Sequence, residues 1–219
     1  MNLFAFVASI AIAALPVVLA ITLHEAAHGY AARHFGDPTA WQEGRITANP
    51  LKHIDPIGTI LVPALILLLS GNSLLFGWAK PVPVNFGRLR HPKRDMLWVA
   101  AAGPGANLAM LLAWAAVLKL AWLLPINFFS LPMAEMAKIG IGINIALMVL
   151  NLFPLPPLDG GRIAVSLLPP EAAWRFAQIE RFGFPILLLL LFTGVLGSLL
   201  TPVMRLVAGV VDVLFQLPS

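Results

Sequence analysis

The sequence predicts an all-α multi-pass membrane protein, and composition, apolar runs and charge placement each support this class. Of its 219 residues, 59% are hydrophobic and 11% are charged, and the mean hydropathy is +0.88. That is far more apolar than a soluble globular domain of this length. The formal net charge is +4, but the basic residues lie in short segments between apolar runs, as in membrane proteins. Nucleic-acid binding is therefore not expected.

Four uncharged runs have about the 20 residues that a bilayer-spanning helix needs. They are Leu3–Leu23, Met96–Leu118, Ile139–Leu158 and Phe184–Met204. Pro and Gly occur within several of them, which membrane helices tolerate. The first run lacks the preceding basic segment of a signal peptide, so we expect a retained membrane helix.

A fifth uncharged run, from Pro56 to Ala79, is interrupted by Pro63 and by the polar sequence at 70–73. Its continuous apolar core, Ile57–Leu69, has the length of a re-entrant or interfacial segment. We predict a re-entrant hydrophobic hairpin at 57–76, with a full span as the alternative.

The remaining segments are short. Residues 44–49 and 81–85 are expected to be extended and to form a small membrane-associated β-hairpin. Residues 170–181 predict a surface helix with proline in its first turn, and residues 203–216 an interfacial helix. We expect one membrane-embedded domain over 1–219, with a core at 3–163 and a C-terminal helical region at 164–219.

The motif that indicates chemistry is H-E-x-x-H at residues 24–28. Residues four apart on a helix share one face, so the imidazoles of His24 and His28 can reach one metal ion. Zinc suits such a site because it acidifies bound water and polarises a carbonyl. Glu25 is then the expected general base on a zinc-bound water. The motif also occurs by chance in unrelated proteins. Here it would place three ionisable residues at the end of a membrane helix, where each is energetically costly, and this favours a functional role.

A catalytic zinc site commonly has three protein ligands. The chain contains no cysteine, so the third ligand must be His, Asp or Glu. Asp159, which follows the third apolar run and precedes two glycines, is the clearest candidate. A turn aspartate or a helix cap is the alternative for this residue.

The three ligands and the basic residues predict the same topology. If His24, His28 and Asp159 hold one Zn²⁺ ion, residues 29–95 must cross the membrane an even number of times, which a re-entrant hairpin satisfies. Three basic residues then lie on one side of the membrane, namely Lys119, Lys138 and Arg205. Eleven lie on the other side: Arg33, Arg45, Lys52, Lys80, Arg88, Arg90, Lys93, Arg94, Arg162, Arg175 and Arg181. This bias predicts an external N-terminus and an active site near the cytoplasmic face of the cell membrane.

Three separated motifs resemble those of the site-2 protease family of intramembrane zinc proteases. They are H-E-A-A-H at 24–28, A-G-P-G-A-N at 102–107, and N-L-F-P-L-P-P-L-D-G at 151–160. The resemblance covers most of residues 3–163. It implies that His24, His28 and Asp159 are zinc ligands, that Glu25 is the general base, and that a membrane-protein substrate helix is cleaved. The chain shows no inserted PDZ-type or nucleotide-sensing domain, and so resembles a compact subgroup.

The resemblance also implies that Asn107 and Asn151 contact the substrate backbone or help hold the oxyanion. The alternative for both is a hydrogen bond between membrane helices. Gly103 and Gly105 are expected to allow close helix packing. Residues 44–49 and 81–85 could pair with an unwound substrate strand or cap the active site.

Two functions from other classes compete with proteolysis. A zinc-binding membrane transporter needs ligands along a path open to both faces, whereas these ligands cluster near one face. A catalytically inactive membrane scaffold is disfavoured by the intact Glu25. The substrate, the pathway and the oligomeric state are not predicted from the sequence.

Overall fold

A computed structural model describes residues 3–69, 77, 79–126 and 129–217. Nine α-helices occur within these residues. They are α1 (Leu3–His34), α2 (Thr39–Gln42), α3 (Val62–Leu69), α4 (Pro92–Leu123), α5 (Ser130–Asn151), α6 (Asp159–Leu167), α7 (Pro170–Ala177), α8 (Glu180–Phe192) and α9 (Val195–Phe215).

Among the described residues, four helices are long and apolar enough to cross a membrane. They are Ala11–His34 within α1, Pro92–Leu123, Ser130–Asn151 and Val195–Phe215. The predicted class, an all-α protein with about four spans, is confirmed to this extent. The first two predicted spans lie within α1 and α4, and α1 continues through the H-E-x-x-H motif to His34.

The predicted third span, Ile139–Leu158, is wrong at both ends. The helix there, α5, begins at Ser130 and ends at Asn151. Three prolines follow within residues 152–158. Proline lacks the N–H that a helix needs and disfavours helical geometry in the preceding residue. These residues form a turn, and a separate helix, α6, begins at Asp159.

The predicted fourth span, Phe184–Met204, is also wrong because two helices meet inside it. Gly194 has φ +75°, a left-handed conformation that glycine adopts without a steric penalty. Helix α8 ends before it, and the membrane-length helix is α9. Residues 203–215 are the second half of α9, so the separate interfacial helix at 203–216 is wrong as well. The surface helix expected at 170–181 is α7, which begins at Pro170 and ends at Ala177.

The predicted β-hairpin is wrong: residues 44–49 and 81–85 form no strand. The two segments are joined by a side chain, because Arg45 Nη2 donates to Lys80 O at 2.9 Å and to Pro81 O at 3.2 Å. A regular ladder is disfavoured since Pro81 and Pro83 have no N–H to donate.

The first arm of the predicted re-entrant hairpin is helical. A π-helical turn at Pro56–Leu61 leads into α3. Asp55 caps this turn by accepting from Ile57 N and Gly58 N. The predicted return arm, 70–76, lies outside the described residues.

Helices α1, α4 and α5 pack against one another in pairs. Asn107 on α4 bonds to Ala20 on α1, whereas Val99, earlier on α4, bonds to His28. Helices α1 and α4 are therefore antiparallel. Likewise, Asn107 bonds to Asn144. Farther along α4, the Trp114 ring packs on Gly140, which precedes Asn144 on α5. Helices α4 and α5 are therefore antiparallel. Helices α1 and α5 thus run in the same direction, which brings their C-terminal halves to one end of the bundle.

The chain between α1 and α4 starts and finishes at that same end. Arg90 N donates to Phe35 O at 2.9 Å, and Arg90 Nη2 donates to His34 O at 2.6 Å. This return is what an even number of crossings between residues 29 and 95 requires. At the other end, Lys119 Nζ donates to Gln216 O at 3.2 Å, which places the end of α9 beside the end of α4.

Candidate metal centre

The two motif histidines and Asp159 converge at the end of the bundle shared by α1 and α5. His24 Nε2 and His28 Nε2 are 3.1 Å apart, and each lies 3.3 Å from Asp159 Oδ2. The three side chains are buried, with 8%, 12% and 12% of their surfaces exposed in the order His24, His28 and Asp159. Within the described residues, no other group of three His, Asp or Glu side chains offers ligand atoms so close together.

This triangle fits a zinc ion. Tetrahedral zinc lies about 2.0–2.1 Å from each nitrogen or carboxylate donor, which sets the donors about 3.3–3.4 Å apart. The observed separations of 3.1 and 3.3 Å are close to that value. Two imidazoles and one carboxylate also leave one tetrahedral position open, as in catalytic zinc sites.

The second nitrogen of each imidazole is hydrogen-bonded, which fixes the proton. His28 Nδ1 lies 2.7 Å from Val99 O; because a carbonyl oxygen only accepts, Nδ1 carries the proton. His24 Nδ1 lies 2.6 Å from Asn107 Oδ1 in the same arrangement. Both Nε2 atoms therefore direct a lone pair toward Asp159 Oδ2, which has no hydrogen-bond partner among the described residues. Three acceptors that converge without a proton are stabilised by a cation.

The orientation of Asn107 follows from its other bonds. Its Nδ2 donates to Ala20 O at 3.2 Å and to Asn144 Oδ1 at 2.9 Å. Asn144 Nδ2 in turn donates to Gly140 O at 2.8 Å. Both amide side chains are fully buried. The chain of bonds leaves Asn107 Oδ1 as the acceptor for His24 and ties the ligand to three helices.

Gly103 allows α4 to approach the two candidate ligands His24 and His28 closely. A Cβ at this position would overlap His28 Nε2 and would lie 2.6 Å from His24 Cε1. A Cβ at Gly105 would meet nothing within 4 Å. Of the two glycines for which close packing was expected, Gly103 therefore faces the candidate site directly and Gly105 does not.

Asp159 reaches the site because α6 begins tightly against the proline-containing turn. A Cβ on Gly160 would overlap Leu152 O and lie 2.6 Å from Phe153 O, and one on Gly161 would lie 2.5 Å from Leu155 C. Burial disfavours the Asp159 anion, but a proton on the Nε2 atom of His24 or His28 outweighs burial and lowers the carboxyl pKa to about 2, and a cation in the place of that proton acts in the same direction. Asp159 is therefore ionised at neutral pH, which is the form that binds a metal.

Glu25 lies beside the ligands, one step around α1. Its Oε2 accepts from Val82 N at 2.8 Å, so the segment that follows Lys80 reaches the candidate general base. A half-buried carboxylate that accepts from a backbone N–H is held in one orientation.

The two candidate substrate-binding asparagines lie in different surroundings. The bonds of Asn107 are those of the alternative interpretation, a link between helices. Asn151 is the last residue of α5, and its Nδ2 donates to Leu147 O at 2.9 Å within that helix. Asn144 and the Val82 N–H were missed from the sequence. Asn144 could have been found as a lone asparagine in an apolar run. The Val82 N–H could not, because a backbone donor does not depend on residue type.

The fold and the site together define a helical protein with helices of membrane-spanning length and a candidate metal site built on an H-E-x-x-H motif. The chain is 40% identical over 185 residues to Putative zinc metalloprotease YwhC of Bacillus subtilis, covering 83% of this chain and 80% of YwhC. It is 30% identical over 180 residues to Putative zinc metalloprotease Rip2 of Mycolicibacterium smegmatis, covering 82% of this chain and 66% of Rip2. The Rip2 protein of Mycobacterium tuberculosis is 28% identical over 181 residues. The chain belongs to this family of zinc metalloproteases, and the resemblance to the site-2 protease family is confirmed.

No family model matches the chain. No solved structure matches it either.

Proposed function

We propose that this protein is a zinc metalloendopeptidase that hydrolyses peptide bonds of membrane-spanning substrates. One Zn²⁺ ion would be held by His24, His28 and Asp159, and Glu25 would act as the general base. The observation that supports this most directly is the triangle of two Nε2 lone pairs and one carboxylate oxygen, in which both histidines and the adjacent Glu25 lie in a membrane-length helix.

A zinc ion held by His24, His28 and Asp159 would supply a Lewis acid, which lowers the pKa of water and polarises a peptide carbonyl. Glu25 takes the proton from the attacking water and delivers it to the leaving nitrogen. Asn107 keeps the His24 Nε2 lone pair directed at the site, and Val99 O does the same for His28. Both are contacts behind the ligands, so we assign Asn107 to ligand support and leave substrate contact to Asn151.

The substrate must present an unwound peptide bond, because a helical one has its backbone groups already bonded. An extended segment of the substrate could pair with residues 81–85, in which Val84 N–H has no acceptor among the described residues. We further propose that the chain between α1 and α4 begins and ends on one side of the membrane, because Arg90 N donates to Phe35 O and Arg90 Nη2 donates to His34 O. The site then lies near the cytoplasmic face, in agreement with the distribution of basic residues.

The test compares wild-type protein with Glu25→Gln, both purified in detergent and loaded with Zn²⁺. Glu135→Gln makes the same change at an exposed glutamate that pairs with Lys138 and is the matched control. Protein fragments are compared in membrane fractions from cells that express each form. One single-span segment that is cut in cells with wild-type protein is then purified in intact form and used as the substrate. Wild type and Glu135→Gln should cleave it, whereas Glu25→Gln should retain zinc and not cleave. Cleavage by the zinc-loaded Glu25→Gln protein would contradict the mechanism.

A further inference from the structure

An extended segment at residues 80–85, here called the strap, lies across the C-terminal half of α1. A Cβ on Gly29, one residue after the ligand His28, would lie 3.2 Å from Val82 Cγ1 and 2.9 Å from Ile46 Cγ1. Val82 is buried, with 7% of its surface exposed. The strap is thus packed on the helix that carries the motif.

The sequence of the strap leaves one backbone donor at its centre. Pro81 and Pro83 have no N–H, and the residue before a proline is held in an extended conformation. Val82, between them, supplies the N–H that donates to Glu25 Oε2 at 2.8 Å. The position of Glu25 therefore depends on where the strap backbone lies.

Both ends of the strap are fixed by buried groups. Lys80 N donates to His53 O at 2.8 Å, and Asn85 N donates to Asp37 Oδ2 at 2.7 Å. His53 and Asp37 are 3% and 0% exposed. These contacts fix the two ends, but neither of them reaches the residues next to Val82.

Arg45 provides that closer contact. It is 6% exposed, and its Nη2 donates to Lys80 O at 2.9 Å and to Pro81 O at 3.2 Å. It forms no ion pair within the described residues. Burial of a guanidinium is costly unless its donors are bonded. Here Nη2 is bonded to the two carbonyls that precede the Val82 N–H, whereas the buried Nε has no partner among the described residues.

We propose that Arg45 is a positioning residue for the general base: by binding two carbonyls of the strap it holds the Val82 N–H on Glu25. This inference rests on the proposed function of Glu25. Arg45 touches neither the ligands nor the reacting atoms, so it is not a catalytic residue. Its loss should displace Glu25 without removing the metal.

The experiment uses Arg45→Ala and Arg45→Lys in the full chain, with Arg90→Ala as the matched control. Arg90 is an exposed arginine whose Nη2 also donates to a backbone carbonyl, that of His34, but not in the strap. Zinc content is measured first and should equal that of wild type in all three variants. Amide hydrogen exchange of residues 80–85 is then followed and should be faster in Arg45→Ala and unchanged in Arg90→Ala.

Cleavage of the single-span substrate separates positioning from structural support. We expect kcat of Arg45→Ala to fall by about 10- to 100-fold, with KM within about twofold of wild type, because misplacement of a reacting group mainly affects the chemical step. Arg45→Lys keeps the charge and one donor position, so its kcat should lie between that of Arg45→Ala and that of wild type. Added guanidinium should partly restore kcat of Arg45→Ala and not that of Arg90→Ala.

Three results would overturn the inference: wild-type kcat in Arg45→Ala, unchanged exchange of the strap, or loss of zinc together with activity in Arg45→Lys. Failure of the proposed function itself is recognised separately. In that case Glu25→Gln does not reduce the cleavage seen with wild-type protein. The zinc and amide-exchange measurements do not depend on cleavage, so they still test whether Arg45 holds the strap.

Discussion

His24 Nδ1 lies 2.6 Å from Asn107 Oδ1, across the contact between α1 and α4. The same amide binds Ala20 O and Asn144, so a link among three helices also fixes the tautomer of a candidate zinc ligand. Such supporting contacts commonly change metal affinity when they are removed. Helix packing and metal binding should therefore be coupled in this protein.

We predict that Asn107→Leu lowers zinc affinity by about 10- to 100-fold, because His24 loses the acceptor that fixes its proton. Affinity is measured by titration of the purified protein with Zn²⁺ against a competing chelator. Asn151→Leu is the control, since Asn151 bonds to Leu147 O within its own helix. Equal affinity of Asn107→Leu and wild type would mean that this bond does not support the ligand.

The paired glycines of α4 give a steric prediction. Gly103→Ala should prevent zinc binding at stoichiometric concentration, because the added methyl overlaps His28 Nε2 and crowds His24. Gly105→Ala makes the same change two residues away, where an added Cβ meets nothing within 4 Å. Bound zinc, measured by elemental analysis after gel filtration, should be near one ion per chain in Gly105→Ala and well below one in Gly103→Ala. Full occupancy in Gly103→Ala would contradict the geometry.

Sequence reasoning selected the three candidate ligands, which the structure brings together, because their chemistry depends on residue type and spacing. A four-residue separation on a helix fixes the relation of His24 to His28 without knowledge of the fold. Asp159 follows an apolar run and precedes two glycines, and this unusual position identified it as the candidate third ligand. The distance of 3.3 Å between Asp159 Oδ2 and each Nε2 is the part that only the structure shows.

Helix boundaries were harder to predict from the sequence, because the helices end inside apolar runs at positions where hydropathy does not change. Helix α5 ends at Asn151 although the sequence stays uncharged to Leu158, since prolines and not charges end it. The break at Gly194 depends on one left-handed residue, and glycine occurs elsewhere in these helices without a break. The β-hairpin failed for another reason: the extended segments are joined through the Arg45 side chain, which no strand pattern reveals.

Removal of the third ligand should separate metal binding from folding. Asp159→Ala leaves two imidazoles, so we expect zinc affinity to fall by at least about 100-fold while helix content is retained. The comparison is with Asp212→Ala, a carboxylate on α9 far along the chain from the motif. Zinc titration and circular dichroism are recorded for both variants. Unaltered affinity in Asp159→Ala would remove this residue from the ligand set.

The contact between α8 and the proline-containing turn should contribute to stability. A Cβ on Gly183 would overlap Pro156 O and lie 2.6 Å from Pro157 Cδ, whereas one on Gly197 in α9 meets nothing within 4 Å. Both glycines are helical, so alanine improves helix propensity equally at the two sites. Gly183→Ala should nevertheless destabilise the protein by about 1–3 kcal/mol through overpacking, and Gly197→Ala should not. Thermal unfolding in detergent measures the difference, and equal midpoints would count against the contact.

The membrane topology is testable because the chain contains no cysteine, so one introduced thiol is the only one. Arg175 and Glu135 are exposed positions on α7 and near the start of α5. Because α5 runs toward the ligand end of the bundle and α7 follows α6 there, the two positions should lie on opposite sides of the membrane. A membrane-impermeant maleimide should label Glu135→Cys on intact cells and Arg175→Cys only on inside-out vesicles. Both variants should react fully after solubilisation in detergent, which controls for buried thiols. Labelling of both from one side would contradict the crossing pattern, and the reverse labelling would place the site near the external face.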